Sequence, residues 1–316
     1  MTARSLSLLV PVLNEEESIG TFLDACQQPV EEALEMMGEN ASVEWLFIND
    51  GSTDATAAVI LARREKDSRI KLVNFSRNFG KEAALAAGID HACGDAIIPM
   101  DVDLQDPPAL IVPMVRAWLD GAEVVNARRS DRSSDSWFKR SVANIFYYLY
   151  NRLAEHPIPD NVGDFRLLGR QAIEVIRNLP ERSRFNKGLF NWVGFPTATI
   201  EYARPPRAAG KTKWKVWQLW NLALDGIVAS TSAPLRIWTY VGAFFALLAF
   251  GYAFFLAIRT LLFGTDVPGY ASVMVAILML GGLQLLSLGV LGEYIGRIAN
   301  EVRQRPLYVI SSKFGV

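Results

Sequence analysis

Val43–Asn49 (VEWLFIN), followed by Asp50-Gly51-Ser52-Thr53-Asp54, is the stretch that decides the fold. Its first part is an apolar run of strand length. Its second part is a turn opening into a helix N-terminus, where Ser, Thr and Asp oxygens can accept from the N–H groups a first helical turn leaves free. The same scheme recurs on both sides. Ser5–Leu13 is apolar and meets Asn14-Glu15-Glu16-Glu17. Ile70–Phe75 runs into Ser76-Arg77-Asn78-Phe79-Gly80-Lys81 and an Ala-rich helix, and Asp95–Met100 ends at Asp101-Val102-Asp103. Short apolar strands alternating with helices predict an α/β domain with a doubly wound, mainly parallel sheet. Ligands of such sheets bind beyond the carboxyl ends of the strands, so the four polar loops should converge on one site.

Composition narrows what that site can serve. The 316 residues carry a formal net charge of −1, without the basic footprint of general nucleic-acid binding, so no nucleic-acid partner is expected. Cys26 and Cys93 lack metal-ligand spacing and are too few for a disulfide framework; they read as small core residues. Hydrophobic residues make up 51% of the chain, and the excess lies beyond about Val228. The opening MTARSLSLLVPVLNEEE stops at Asn14 and three acids, which suits a first strand better than a signal peptide. The N-terminal domain is therefore expected in the cytosol.

Two runs near the other end, 237–258 and 270–292, contain no charged residue. Each exceeds the roughly 20 residues a helix needs to cross a bilayer core, which predicts two transmembrane helices. Lys211, Lys213, Lys215 and Arg236 precede the pair and Arg297, Arg303, Arg305 and Lys313 follow it. The positive-inside rule places both ends of this hairpin in the cytoplasm. Trp214, Trp217, Trp220, Trp238 and Tyr240 suit a helix at headgroup level, or alternatively a helix facing the soluble core. The expected organisation is a cytosolic domain (1–210), an interfacial amphipathic segment (211–234), the hairpin (235–300) and a cytosolic tail (301–316). That makes an integral protein of the cytoplasmic membrane with both termini inside. Gly242, Gly251, Gly281, Gly282 and Gly289 would allow close helix packing between copies, so a homo-oligomer is a further expectation.

The chemistry centres on Asp101-Val102-Asp103-Leu104-Gln105-Asp106. Two carboxylates two residues apart, just past a strand, are hard oxygen ligands of the kind that suits Mg²⁺ or Mn²⁺ holding a diphosphate. Such an ion offsets charge on a leaving nucleoside diphosphate. Acidic pairs are also common in solvated loops, and here the strand end carries the functional reading. Neither GxxxxGK[ST] nor GxGxxG occurs, which argues against a P-loop or dinucleotide-binding domain.

PVLNEEESI (11–19), NDGSTD (49–54), SRNFGKEAAL (76–85), MDVDLQDPP (100–108), GDFRLLGR (163–170), FNKGLFNWVGF (185–195), GKTKW (210–214) and DVPGYASVMVAILMLGG (266–282) resemble family-2 glycosyltransferases along almost the whole chain. Within them the resemblance is to the polyprenyl-phosphate group, the dolichyl-phosphate mannose synthases and above all the bactoprenol glucosyltransferases. It implies a nucleotide-sugar-binding domain of the GT-A type, a nucleotide-sugar donor, a polyprenyl phosphate acceptor at the membrane, and Mg²⁺ or Mn²⁺. Pro11, Asn14, Glu15 and Asp50 would hold base and ribose. Family members often carry two acids where Asn49-Asp50 stands, which puts the recognition carboxylate on Asp50. Asp101 would contact ribose and metal, with Asp103 and Gln105 completing the metal site. Gly80 and Lys81 would face the sugar or diphosphate. Ala109 replaces an acid the motif often carries, so no role rests on it.

Arg128 and Arg140 match positions that face the lipid phosphate in the mannose synthases, and Arg suits bidentate phosphate contacts. Lys211 and Lys213 stand where the headgroup would arrive, or serve as interfacial charges drawn to anionic lipid. Asp164 matches a carboxylate proposed to be catalytic. Base catalysis and simple orientation of the acceptor, a sugar hydroxyl or Arg166 both remain open, because a phosphate acceptor is already an anion. The resemblance favours UDP-glucose and undecaprenyl phosphate, with GDP-mannose, UDP-N-acetylglucosamine and an aminoarabinose donor as alternatives. A processive polysaccharide synthase would carry a Gln-x-x-Arg-Trp signature, which the chain lacks, and more spans. An inactive membrane scaffold is a further rival, against which Asp101, Asp103, Gln105 and Asp164 speak.

Overall fold

The computed structural model describes residues 4–130, 151–152, 159–179, 181, 186–203, 233–263 and 269–316. Its strands are β1 (Ser5–Val12), β2 (Ser42–Asn49), β3 (Ile70–Phe75), β4 (Ala96–Pro99), β5 (Val124–Arg129), β6 (Val162–Gly169), β7 (Thr197–Tyr202) and β8 (Ile310–Phe314). Between them run α1 (Ser18–Met37), α2 (Thr56–Arg64), α3 (Lys81–His91), α4 (Ile111–Leu119), α5 (Arg170–Arg177) and α6 (Asn186–Trp192). Two long helices, α7 (Ala233–Phe263) and α8 (Tyr270–Arg303), precede β8.

All eight strands form one sheet in the order β7-β5-β6-β4-β1-β2-β3-β8. The expected parallel unit is present as β4-β1-β2-β3, each neighbour pair parallel. The sheet as a whole is mixed: β6 runs antiparallel to β4 and β5, and β8 runs antiparallel to β3. The strands of the parallel unit are covered on both faces, which is why they read as continuous apolar runs. Leu6, Leu8, Val10 and Val12 of β1 point to one side, under α1, α2 and α4. Leu9 points to the other, where α3, α5 and α6 pack. A Cβ on Gly88 would lie 1.8 Å from Leu9 Cδ1, so the absence of a side chain there sets how closely α3 sits on β1.

β1 continues through α1 to β2 on one side, while β4 lies on its other side. The strand order therefore reverses between β1 and β4, and the crevice at their carboxyl ends is the switch point where open α/β sheets bind ligands.

β8 was not apparent from the sequence, which suggests only a tail over 301–316. Ile310–Phe314 is a short strand of mixed polarity that gains its partners from the exposed edge of β3. The interfacial segment expected at 211–234 lies, apart from its last two residues, outside the described residues. Both uncharged runs fall within α7 and α8. Among the described residues one stretch, Met279–Arg303, is long and apolar enough to cross a membrane, while Ile237–Tyr252 is a shorter apolar helix. Phe244, Leu247, Phe250, Leu261 and Leu285 on these helices are all more than half exposed within the single chain.

Candidate active site

Four loops meet at the switch point, and hydrogen bonds between them give the pocket its floor. Asn14, with φ 55°, follows β1. Its N–H donates to Ser52 Oγ (2.9 Å), and its Oδ1 accepts from the Thr53 N–H (2.8 Å). Glu15 N–H donates to Thr56 Oγ1 (2.9 Å), and Glu16 Oε2 accepts from the Ala55 N–H (2.7 Å). The loops after β1 and β2 are thus laced together residue by residue. Glu15 also accepts from the Ser18 hydroxyl at 2.9 Å, which ties its carboxylate to the first residue of α1.

Asp50 stands at the end of β2 and is only 4% exposed. Its two carboxylate oxygens accept from the backbone N–H groups of Phe79 (2.6 Å) and Gly80 (3.0 Å). Burial pushes this carboxyl above the usual range, against the pull of those two donors and of Arg77. The loop bearing Lys81 is thereby tied to β2. Lone pairs remain on Asp50, since a carboxylate can accept about four hydrogen bonds. Pro11, within β1, pairs in register with Ile48 and sits beside this floor.

Lys81 is the centre of the arrangement. It opens α3 behind Gly80, whose φ of 96° is a left-handed value that favours glycine. Its Nζ lies 2.8 Å from Asp101 Oδ2 and 3.2 Å from Asp164 Oδ2. Burial by itself would lower the ammonium pKa; the charges of Asp101 and Asp164 outweigh it and hold the group well above its ordinary value. Three residues named separately from the sequence thus meet in one ion cluster, with Lys81 and Asp101 each 39% exposed and Asp164 19%.

Asp164 reaches Lys81 because its strand is irregular. Asn126 pairs with Arg166 and Arg128 with Val162, so Gly163-Asp164-Phe165 stand opposite Ala127 alone. Bulges of this kind re-aim a side chain next to functional sites. Arg166, 3% exposed, donates to the Gly163 carbonyl at 2.7 Å and lies 4.7 Å from the centre of the Phe190 ring. It braces the bulge from below.

The acidic loop after β4 carries Asp101, Asp103 and Gln105. Asp103 Oδ1 accepts from the Gln105 N–H at 3.1 Å, closing a small turn around Leu104, whose φ is 55°. A support that sequence reading missed comes from β7: the Tyr202 hydroxyl donates to Asp106 Oδ1 (3.2 Å) and accepts from Arg129 Nε (3.4 Å). No local signal marks Tyr202, because its partner is 96 residues away. Arg128 points into an open cavity of about 500 Å³ lined by Pro159, Asp160, Thr199 and Glu201. It lies 3.7 Å from the Glu201 carboxylate. Arg140, Lys211 and Lys213 lie outside the described residues.

An open α/β sheet with acidic loops and a lysine gathered at its switch point places charged groups where sheets of this kind bind ligands. Residues 7–177 match the glycosyl transferase family 2 model, and residues 233–298 match that of the GtrB C-terminal hairpin. The chain belongs to glycosyltransferase family 2 and is a glycosyltransferase with a GT-A-like α/β fold. The SfII prophage-derived bactoprenol glucosyl transferase of Shigella flexneri is 51% identical over 96% of this chain and 97% of its own. The prophage bactoprenol glucosyl transferase homolog of Escherichia coli K12 is 50% identical over 96% and 98%. An uncharacterized glycosyltransferase of Synechocystis is 47% identical over 98% and 96%. Among solved structures, mannosyl-3-phosphoglycerate synthase from Rubrobacter xylanophilus superposes with a TM-score of 0.49 at 16% identity, covering 74% of each chain.

Proposed function

We propose that this glycosyltransferase moves a hexosyl group, glucose from UDP-glucose, onto undecaprenyl phosphate or a similar polyprenyl phosphate at the cytoplasmic face of the membrane. The observation that carries the reading is the Lys81 ammonium held between Asp101 and Asp164 at the switch point. It puts a fixed positive charge where a diphosphate leaving group needs one, among carboxylates able to share a second cation. The names of relatives that match along nearly the full length, bactoprenol glucosyl transferases, support a polyprenyl phosphate acceptor and a glucosyl donor.

The donor set suits Mg²⁺ or Mn²⁺. Asp101, Asp103 and Gln105 offer hard oxygens on one half-buried loop, and the Asp101 carboxylate already faces one cation at 2.8 Å. Among the described residues no group of three or more His, Cys, Asp or Glu is placed to enclose an ion. Mg²⁺ commonly takes only one or two carboxylates from the protein and completes its shell with substrate phosphates and water. Bound there, it would offset charge on the departing diphosphate.

The chain's own residues do the positioning. The laced loops at Asn14, Ser52 and Thr53 shape the nucleotide end, and Asp50 fixes the backbone that presents Lys81. An acceptor phosphate oxygen attacks the anomeric carbon; the bond from that carbon to the diphosphate breaks, and the nucleoside diphosphate leaves with the electron pair. Configuration inverts in this single displacement. Asp164 orients Lys81 and takes no proton, because the attacking phosphate is already ionised. Orientation and charge stabilisation of this kind are the main sources of rate in such displacements. Arg128, with Arg140, Lys211 and Lys213, would receive the acceptor phosphate.

The exposed apolar surfaces of α7 and α8 support a two-helix hairpin crossing the membrane at about 237–258 and 270–292. The return of β8 to the catalytic sheet supports a chain that enters and leaves the hairpin on the same side. A homo-oligomer would bring the hairpin glycines of neighbouring copies together; a Cβ on Gly242, Gly251, Gly281, Gly282 or Gly289 meets nothing within 4 Å in the single chain.

The test is transfer of radiolabelled sugar from UDP-glucose, GDP-mannose, UDP-N-acetylglucosamine and UDP-aminoarabinose to undecaprenyl phosphate by detergent-solubilised protein. Lipid-extractable label from UDP-glucose, abolished by EDTA and reduced at least about a hundredfold by Asp103→Ala, is expected. Label from another donor would correct the sugar. Absence of lipid label from every donor, in a protein that binds nucleotide, would overturn the reading.

A further inference from the structure

We infer that the C-terminal strand β8 is a positioning element of the donor pocket, acting through a relay of side-chain hydrogen bonds across the sheet. The inference rests on the reading that the switch-point loops bind a nucleoside diphosphate sugar. The contribution of β8 arrives through the side chains of Ser312, Asn74 and Asn49. Ser312 Oγ accepts from Asn74 Nδ2 at 3.0 Å. Asn74 Oδ1 accepts from Asn49 Nδ2 at 2.9 Å. Asn49 Oδ1 accepts from the Ser52 N–H at 3.1 Å, and Ser52 Oγ in turn accepts from the Asn14 N–H at 2.9 Å. The relay therefore runs from β8 through β3 and β2 to the loops after β2 and β1.

Each link has a physical reason to be specific. Asn49 is 5% exposed, so its amide must find partners within the protein. An amide donates through nitrogen and accepts through oxygen, and here Asn74 uses both ends, which fixes its orientation and that of Asn49. Ser312 closes the series at the sheet edge, where an aliphatic residue would leave the Asn74 nitrogen without that acceptor. The register is set by an irregularity at the carboxyl end of β3. Asn74 pairs with Ser312 and Phe75 with Ile310, so Ser311 is an extra residue, and its hydroxyl donates to the Asn74 carbonyl at 3.1 Å. A bulge at this point aims Ser312 along the relay.

The second consequence concerns the membrane. Only residues 304–309 separate the end of α8 from β8. Tyr308 within that link stacks on Phe75 with ring centres 5.1 Å apart, and its hydroxyl donates to Asp90 at 2.8 Å. The helix that leaves the membrane is thus joined through a short, anchored link to the strand that steadies the donor loops. Donor loop and lipid-side helix are held in one frame.

The experiment compares full-length Ser312→Ala, Ser312→Thr, Asn74→Ala and, as a control on the neighbouring position outside the relay, Lys313→Ala. Backbone hydrogen exchange of the segment 49–56 is read first, without ligand. UDP and GDP affinity with Mn²⁺, donor KM and kcat follow. Loss of one relay hydrogen bond should speed exchange in 49–56 and weaken binding of the preferred nucleotide about five- to tenfold, the net worth of one hydrogen bond. Donor KM should rise equally with kcat within about twofold, and Ser312→Thr should restore all three readouts. Unchanged exchange in Ser312→Ala and Asn74→Ala would overturn the relay. So would a matching effect in Lys313→Ala, which would mark a general loosening of β8. Wild-type protein that binds neither nucleotide would overturn the donor-site reading and the relay's role in binding, whereas the exchange result would still judge the relay itself.

Discussion

Lys81→Met is the substitution on which the active-site reading depends most directly. It removes the charge while keeping most of the apolar stem. The Nζ atom is 2.8 Å from one carboxylate and 3.2 Å from the other. At a water-like dielectric these separations are worth about 1.5 and about 1.3 kcal/mol; at an effective dielectric near 20 they would be about 6 and 5. The side chain is 39% exposed, so solvent screening favours the lower pair of values. Both contacts together are then worth about 3 kcal/mol in the resting site, and an ammonium–diphosphate contact of similar strength made in the transition state would, when lost, cost roughly 150-fold in kcat/KM. The assay is initial-rate transfer to polyprenyl phosphate, paired with thermal melting of the same preparation. Melting should fall by a few degrees, because Asp101, 39% exposed, can be hydrated in place of the ammonium while Asp164, 19% exposed, is hydrated only in part. Asp164→Asn in the Lys81→Met background should cost far less than alone, since contacting residues couple by about 0.5–3 kcal/mol. Activity within tenfold of wild type in Lys81→Met would refute the claim that this ammonium stabilises the leaving group. Full additivity of the two substitutions would refute the claim that Asp164 works through Lys81.

Gly51→Ala should lower the melting temperature by about 4–8 °C and abolish nucleotide binding, from a cost of at least about 2 kcal/mol. Its φ is +71°, and the added Cβ would lie 2.4 Å from the Arg77 carbonyl carbon; a melting curve matching wild type would contradict this. Asp103→Ala should reduce transfer at least about a hundredfold, with a residual rate no longer responsive to Mn²⁺; a mutant that still tracks metal concentration would remove Asp103 from the metal site. His91 is held below its ordinary pKa by burial and by Lys313 and Arg177, against Asp90, with the Tyr308 ring beside it. The unfolded chain then binds the extra proton first, so its contribution to stability is complete above about pH 6.5 and is lost as pH falls through the folded value. His91→Gln should flatten the melting-temperature profile below pH 6.5, and an unchanged profile would show that other groups cause it. Tyr202→Phe should cost about 1–2 kcal/mol and raise donor KM through the Asp101–Asp106 loop, whereas an effect on stability alone would confine Tyr202 to the core.

The parts of this molecule that sequence reading reaches are those whose physics is local. β1 to β4 announce themselves because strands covered on both faces must be apolar throughout, and the polar clusters after them must sit at strand ends. That logic alone places Asp50, Lys81 and Asp101 in one crevice. Motif resemblance adds Asp164 there, but cannot say that Lys81 bridges it to Asp101. A bulge opposite Ala127 makes that contact, and bulges leave little trace in composition. Likewise, ISSKF lacks the length and alternation that mark a strand; it becomes one because β3 would otherwise end the sheet with unpaired N–H and C=O groups. Tyr202, Asn74 and Ser312 share this property: each is polar and unremarkable in its own segment, and each gains meaning from a partner tens or hundreds of residues away. The missing information is therefore concentrated in the supports of the site. Those supports lie on β3, β7 and β8, the strands at or next to the two sheet edges, where neighbours are set by topology alone. The catalytic groups stand out by their chemistry, whereas what holds them in place is decided by which strands become neighbours.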